Sequence, residues 1–136
     1  MAKIIKDTKP VEVVKADTKP VSQTARYFNK NIKISPRKLR LLARTIKKVQ
    51  PQIALTQLKF TNSKSARILE KAVQSVISAA KNNYNLAPET LKFDSIRVDE
   101  GLKIKRMDKS HGSRFSRGLI QKRHSRLEII VKGGVN

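Results

Sequence analysis

The 136-residue chain contains no cysteine and no tryptophan. Without cysteine there is no disulfide framework and no thiolate zinc or redox centre, which leaves His111 and His124 as the only soft metal ligands. Aromatic bulk is confined to Tyr27, Tyr84 and four Phe, so the core must be aliphatic. No stretch approaches the roughly 20 apolar residues that span a bilayer, and the N-terminus lacks the apolar centre of a signal peptide. A mitochondrial leader is rich in Arg and poor in acids, whereas residues 1–23 hold Asp7, Glu12 and Asp17 and no Arg. The expected compartment is the cytoplasm. Acids are scarce throughout: 10 Asp and Glu oppose 31 Lys and Arg, for a net charge of +21.

That much positive charge on one small surface repels itself and calls for a polyanionic partner, nucleic acid first. The distribution sharpens the point. Residues 18–69, 52 in all, include no acid and 13 Lys or Arg, Arg26 and Lys33 among them.

The length fits a single domain, expected over residues 24–132, with short tails at 1–23 and 133–136. The N-terminal tail repeats Asp7-Thr8-Lys9-Pro10-Val11 as Asp17-Thr18-Lys19-Pro20-Val21. Its prolines oppose helix and it has little to bury, so it reads as a flexible segment. Residues 24–34 alternate weakly and predict a strand. Ser35-Pro36 then predicts a helix start over 36–49, Ser as N-cap and Pro at the first helical position. On a helical wheel Leu39, Leu42, Ala43, Ile46 and Val49 share one side, and Arg37, Arg40, Arg44, Lys47 and Lys48 the other. Pro51 starts a short second helix through Gln57, and Ser63 caps a third running to about Asn83. The stripe Ala66, Leu69, Ala72, Val73, Val76, Ile77 and Ala80 marks that third helix as the buried one.

Beyond Asn82-Asn83 the period changes to two, at Leu91, Phe93, Ile96 and Val98 and again at Leu127, Ile129 and Val131, which predicts strands. Between them residues 101–126 carry nine Lys or Arg and one acid, and read as a hairpin with its tip near 110–115. Arms of ten or more residues at ~3.3 Å each reach roughly 33 Å or more, against a radius of gyration of ~14 Å for a compact chain of this size. The tip therefore projects. Leu102, Ile104, Met107 and Phe115 are too few apolar groups to fix two strands in water, so an external anionic partner is expected to order them.

No catalytic constellation emerges. The two histidines flank the hairpin tip without a carboxylate to orient them, and Asp99 and Glu100, adjacent on a strand, point to opposite faces. Gly133-Gly134 lacks the strand, loop and helix context of a phosphate cradle. The basic side of the first helix has two readings, a solvated stripe or a phosphate-binding face. It lacks the acidic i+4 partners of a solvated helix and neighbours a second basic segment, which favours phosphate, with Arg suited to bidentate contacts. A membrane-surface helix would need large apolar residues on its insertion face. A DNA-reading helix would need a base-reading Asn or Gln near its start.

At these residues the chain resembles the universal large-subunit ribosomal protein twenty-two family. Ile34-Ser35-Pro36-Arg37-Lys38-Leu39-Arg40-Leu41-Leu42-Ala43 is similar to the family's opening I-S-P-R-K motif and the alternation that follows it. The segment 71–83 resembles its small-residue helix end, and Val98-Asp99-Glu100-Gly101, Lys105-Arg106 and Lys122-Arg123-His124-Ser125 resemble V-D-E-G, K-R and K-R-T-S. The resemblance implies an α+β fold, a small globule of three helices packed on an antiparallel sheet with a long protruding β-hairpin, and a structural role in the large ribosomal subunit. It implies rRNA contacts at Ser35, Pro36, Arg37, Lys38 and Arg40 and along the hairpin at Lys105, Arg106, Arg114, Arg117, Lys122 and Arg123. The charge pattern adds Arg26, Lys33, Arg44, Lys103 and Arg126. The hairpin tip, Lys109, Ser110, His111, Gly112 and Ser113, would line the nascent-peptide tunnel, although the family's usual P-R-x-R-G-R is replaced there by Lys-Ser-His-Gly-Ser-Arg. The expected partners are rRNA, neighbouring ribosomal proteins and the nascent chain. No cofactor, metal, small-molecule substrate, membrane or enzymatic activity is expected. The alternative is a non-ribosomal RNA-binding or nucleoid-coating protein.

Overall fold

The computed structural model describes residues 23–110 and 118–133. The expected N-terminal tail through residue 22, the tip residues His111, Gly112 and Ser113, and Arg114 and Arg117 lie outside the described residues. Three helices and three strands follow in the order β1 (Gln23–Ile32), α1 (Pro36–Ile46), α2 (Pro51–Phe60), α3 (Lys64–Tyr84), β2 (Leu91–Asp108) and β3 (Gly118–Gly133). The strands form one antiparallel sheet in the order β1-β3-β2. This is the expected α+β architecture.

β3 is the central strand, and its alternation decides what is buried. Leu127, Ile129 and Val131 are fully buried, while Glu128 and Ile130 between them are half-buried and Arg126 and Lys132 on either side are exposed. Against the buried face pack Leu39 and Ile46 of α1, Ala54 and Leu58 of α2, and Leu69, Val73 and Val76 of α3. Among the described residues no aromatic side chain is fully buried; Tyr27 and Phe93 pack only at the margin, so the core is aliphatic as the composition requires. Alanines 66, 72 and 80 are 0–1% exposed. Their small side chains let α3 lie close to its neighbours.

Element ends differ from the sequence reading for local reasons. α1 stops at Ile46 rather than 49, because Gln50 precedes Pro51 and is held extended (φ −63°, ψ 146°), as a residue before proline prefers. α2 runs on to Phe60, since nothing in its sequence breaks a helix before Thr61. α3 runs through Asn82-Asn83 to Tyr84 and is capped by Asn85, which adopts a left-handed φ of 52°. The amide of Leu86 donates to the Ala80 carbonyl and that of Asn85 to Lys81, and Leu86 buries itself beside them, a Schellman-type stop. Ser63 caps α3 as predicted, its Oγ accepting from Ala66 N at 3.0 Å. Ser35 sits at the N-cap of α1, but its hydroxyl makes no capping bond.

The hairpin is not a separate element inserted between two strands. β2 is one 18-residue strand and β3 one of 16, so the arms continue the central strands outward. Their register runs from Leu91↔Gly133 to Asp108↔Gly118, with irregularities between Phe93 and Ser95 and between Glu100 and Lys103.

Candidate nucleic-acid interface

The cations singled out in the sequence, where described, fall into four groups, which a linear sequence does not separate. The first lies where β1 hands over to α1. Lys33, Ser35 and Lys38 share a cleft of about 430 Å³ with Ser63, Lys64 and Ser65 of the α3 start and with Arg123 from β3. Pro36 is buried and acts here by fixing the first turn of α1. Ser63, known to the sequence reading only as a helix cap, and Lys64 and Ser65 were not among the expected site residues. The only signal was their place at a helix start, and the cleft requires the fold to bring two such starts together.

The second group is the exposed side of α1. Arg40, Arg44 and Lys47 edge a groove against Ile96 and Val98 of β2, and Arg44, Thr45, Lys47 and Lys48 surround an adjoining depression. Arg40 is anchored: its Nε donates to the Val98 carbonyl at 2.8 Å, leaving the outer guanidinium nitrogens free of that bond. Leu41 stands 63% exposed within this cationic side. No acid occupies the first turn of α1, so nothing local neutralises Arg37, which is fully on the surface.

The third group lines the ribbon. Lys103 pairs in register with Arg123, Ile104 with Lys122, Lys105 with Gln121 and Arg106 with Ile120. Cross-strand neighbours share a face, so Lys103 and Arg123 bring like charges side by side at the stem. Glu100 partly offsets them. It bonds Lys103 at 2.5 Å, and that bond and charge, with smaller contributions from Arg40 and Arg123, hold its carboxyl below the ordinary 4.5. Near the tip, the Ser110 amide donates to Asp108 Oδ1 at 2.9 Å, and hydrogen bonds from Ser110 lower the Asp108 carboxyl as well. The acid thus closes a local turn instead of sitting as a free negative charge among cations. Lys109 and Ser110 follow it, exposed.

The fourth group faces away from the helices. Arg26 forms an ion pair with Glu128 (2.7 Å) and lies 5.5 Å from the Phe28 ring centre. Arg126 lies opposite Asp99 in the sheet register. These two cations have acidic neighbours within the protein, unlike Lys33 and Lys38.

His124 is half-buried and its Nδ1 contacts Asn31 Oδ1 at 2.5 Å, linking β3 to the end of β1. Ser125 is fully buried with no hydrogen-bond partner for its Oγ, as is the Oγ of Ser95. Among the described residues no three His, Cys, Asp or Glu converge as metal ligands, and no helix is long and apolar enough to cross a membrane.

A surface of this kind, with cations in a cleft, along a helix and down a projecting ribbon, is suited to a polyanion with an extended backbone. The family described as ribosomal protein L22p/L17e matches residues 27–132. The protein named large ribosomal subunit protein uL22 from Petrotoga mobilis is 41% identical over 109 residues, covering 79% of this chain and 71% of that one. Its namesake from Thermotoga sp. (strain RQ2) is 37% identical over 79% of this chain and 64% of its own. That from Malacoplasma penetrans is 36% identical over 82% of both.

Proposed function

The chain belongs to the ribosomal protein L22p/L17e family, and from that premise we propose that it is a structural constituent of the large ribosomal subunit, in the cytoplasm, holding rRNA through α1, the cleft and the ribbon. The observation that carries this reading is the ribbon itself. From Glu100 to Asp108 the paired strands continue for roughly 26 Å at ~3.3 Å per residue, exposing Lys103, Lys105, Arg106, Lys122 and Arg123. A ribbon so charged, with Leu102, Met107, Leu119 and Ile120 about half exposed or more, gains little from standing alone and much from being surrounded by anionic backbone and bases. Phosphate contacts give affinity and position, while the A-form grooves and loops of RNA supply the shape that is recognised.

Lys109 and Ser110, and with them His111, Gly112 and Ser113 of the tip, would then meet the nascent polypeptide. What supports this is that Lys109 and Ser110 directly follow the end of β2 at Asp108, at the far end of the ribbon's described part.

The test is reconstitution. The tagged chain should sediment with large subunits and stay bound through a high-salt wash. A chain that dissociates in salt and coats RNA indiscriminately would answer to the non-ribosomal alternative.

A further inference from the structure

We propose, on the strength of the RNA-binding reading above, that the cleft between the starts of α1 and α3 is a phosphate pocket holding one phosphodiester of the bound RNA, with Lys64 and Ser65 as ligands. Four independent features converge there. The lining is cationic without an acid: Lys33, Lys38, Lys64 and Arg123, with Ile34 and the hydroxyls of Ser35, Ser63 and Ser65 between them. Its volume, about 430 Å³, lies in the range of small-ligand pockets.

Both helices that open onto it do so by their N-terminal ends, where the backbone carries partial positive charge and unpaired amides. In α3 the Ser63 hydroxyl takes the Ala66 amide and the Ser63 carbonyl the Arg67 amide, which leaves Lys64 and Ser65 at the first two positions without an intrahelical acceptor. Neither helix has an acid in its first turn.

The side chains complete the case. Ser35 occupies a capping position without capping, so its hydroxyl is available. Ser65 is 7% exposed, lines the cleft and makes no side-chain hydrogen bond among the described residues. Its hydroxyl is not sealed from solvent as those of Ser95 and Ser125 are, so it is open to the cleft, where a phosphate oxygen would accept from it. Arg123 belongs to the stem of the ribbon, so a phosphate held here would bridge the globule to the arm. A single bound group would then fix both helices relative to β3.

The experiment uses the full-length, nitrogen-15-labelled chain titrated with inorganic phosphate, and in parallel with acetate, at constant ionic strength. Saturable shifts at the Lys64 and Ser65 amides with phosphate and not with acetate are expected. Lys64→Ala should weaken phosphate binding roughly tenfold, the scale of one lost charged hydrogen bond, and Ser65→Ala should weaken it less. Lys59→Ala removes a cation that does not line the cleft and should change nothing. Against large-subunit rRNA, Lys64→Ala should lower the slope of log affinity on log salt by about 1. Absence of saturation, equal losses in Lys64→Ala and Lys59→Ala, or an equal response to acetate overturns the pocket. Tight rRNA binding in that case leaves the RNA reading intact. Saturation by phosphate without rRNA binding would uphold the pocket and sink the RNA reading.

Discussion

Arg40 and Val98 are 58 residues apart in sequence and are joined by a 2.8 Å hydrogen bond from the guanidinium Nε to the carbonyl. The bond fastens the cationic side of α1 to β2 just before the strand leaves the globule. A residue marked by its charge for RNA binding is therefore also a fastening of the ribbon's base.

Arg40→Ala should destabilise the free protein by about 1 kcal/mol, the loss of one partly exposed hydrogen bond. Arg40→Lys should not restore it, since a lysine has no donor at the Nε position. Urea unfolding of the two variants beside the wild type checks this, and full rescue by lysine would assign Arg40 a purely electrostatic role.

Gly101 sits at the strand irregularity where the ribbon departs. A Cβ there would meet the backbone of His124, at 3.0 Å from its carbonyl carbon and 3.1 Å from its oxygen, and backbone atoms cannot swing aside as a side chain would. Gly101→Ala should cost about 1–3 kcal/mol by overpacking, read as a lowered thermal midpoint. An unchanged midpoint would mean that the strands separate there at little cost.

Glu100 makes a testable contribution at acid pH. Because its folded pKa is held below 4.5 by Lys103, its contribution to stability is complete above 4.5 and is lost as pH falls through the lowered value. Carbon-13 titration should place the Glu100 midpoint below 4.5, and Lys103→Ala should move it up toward the ordinary value. High salt should do the same, because the pair is exposed. A midpoint indifferent to Lys103→Ala would refute the pairing.

The ribbon and the helical core should differ in protection from hydrogen exchange. Residues 103–108 and 118–122 share backbone pairing but bury little, whereas Leu69, Val73, Val76 and Ala80 are fully buried. Without RNA, exchange should be fast in the former and slow in the latter, the protection of the ribbon rising when rRNA is added. Equal protection of both in the free protein would show that the ribbon supports itself.

The sequence by itself determined the helices, the aliphatic core and the ribbon's existence, because each rests on local periodicity: Leu39, Ala43 and Ile46 recur at helical spacing, and Leu127, Ile129 and Val131 at strand spacing. Charge needs no fold to be counted, so the demand for a polyanionic partner was legible as well. Where α3 stops was legible to within a residue, but how it stops was not, since the left-handed turn at Asn85 goes with Leu86 finding a buried place. Only the tertiary structure sorted the cations. The sheet register sets Arg26 beside Glu128 and Lys103 opposite Arg123, and the packing of α1 against β2 binds Arg40 to Val98. The approach of α1 to α3 brings Ser35 and Ser65, 30 residues apart in the chain, to one cleft with Arg123. Electrostatic and hydrogen-bond partners are chosen by distance in space, and distances between remote segments are fixed only once the core has closed.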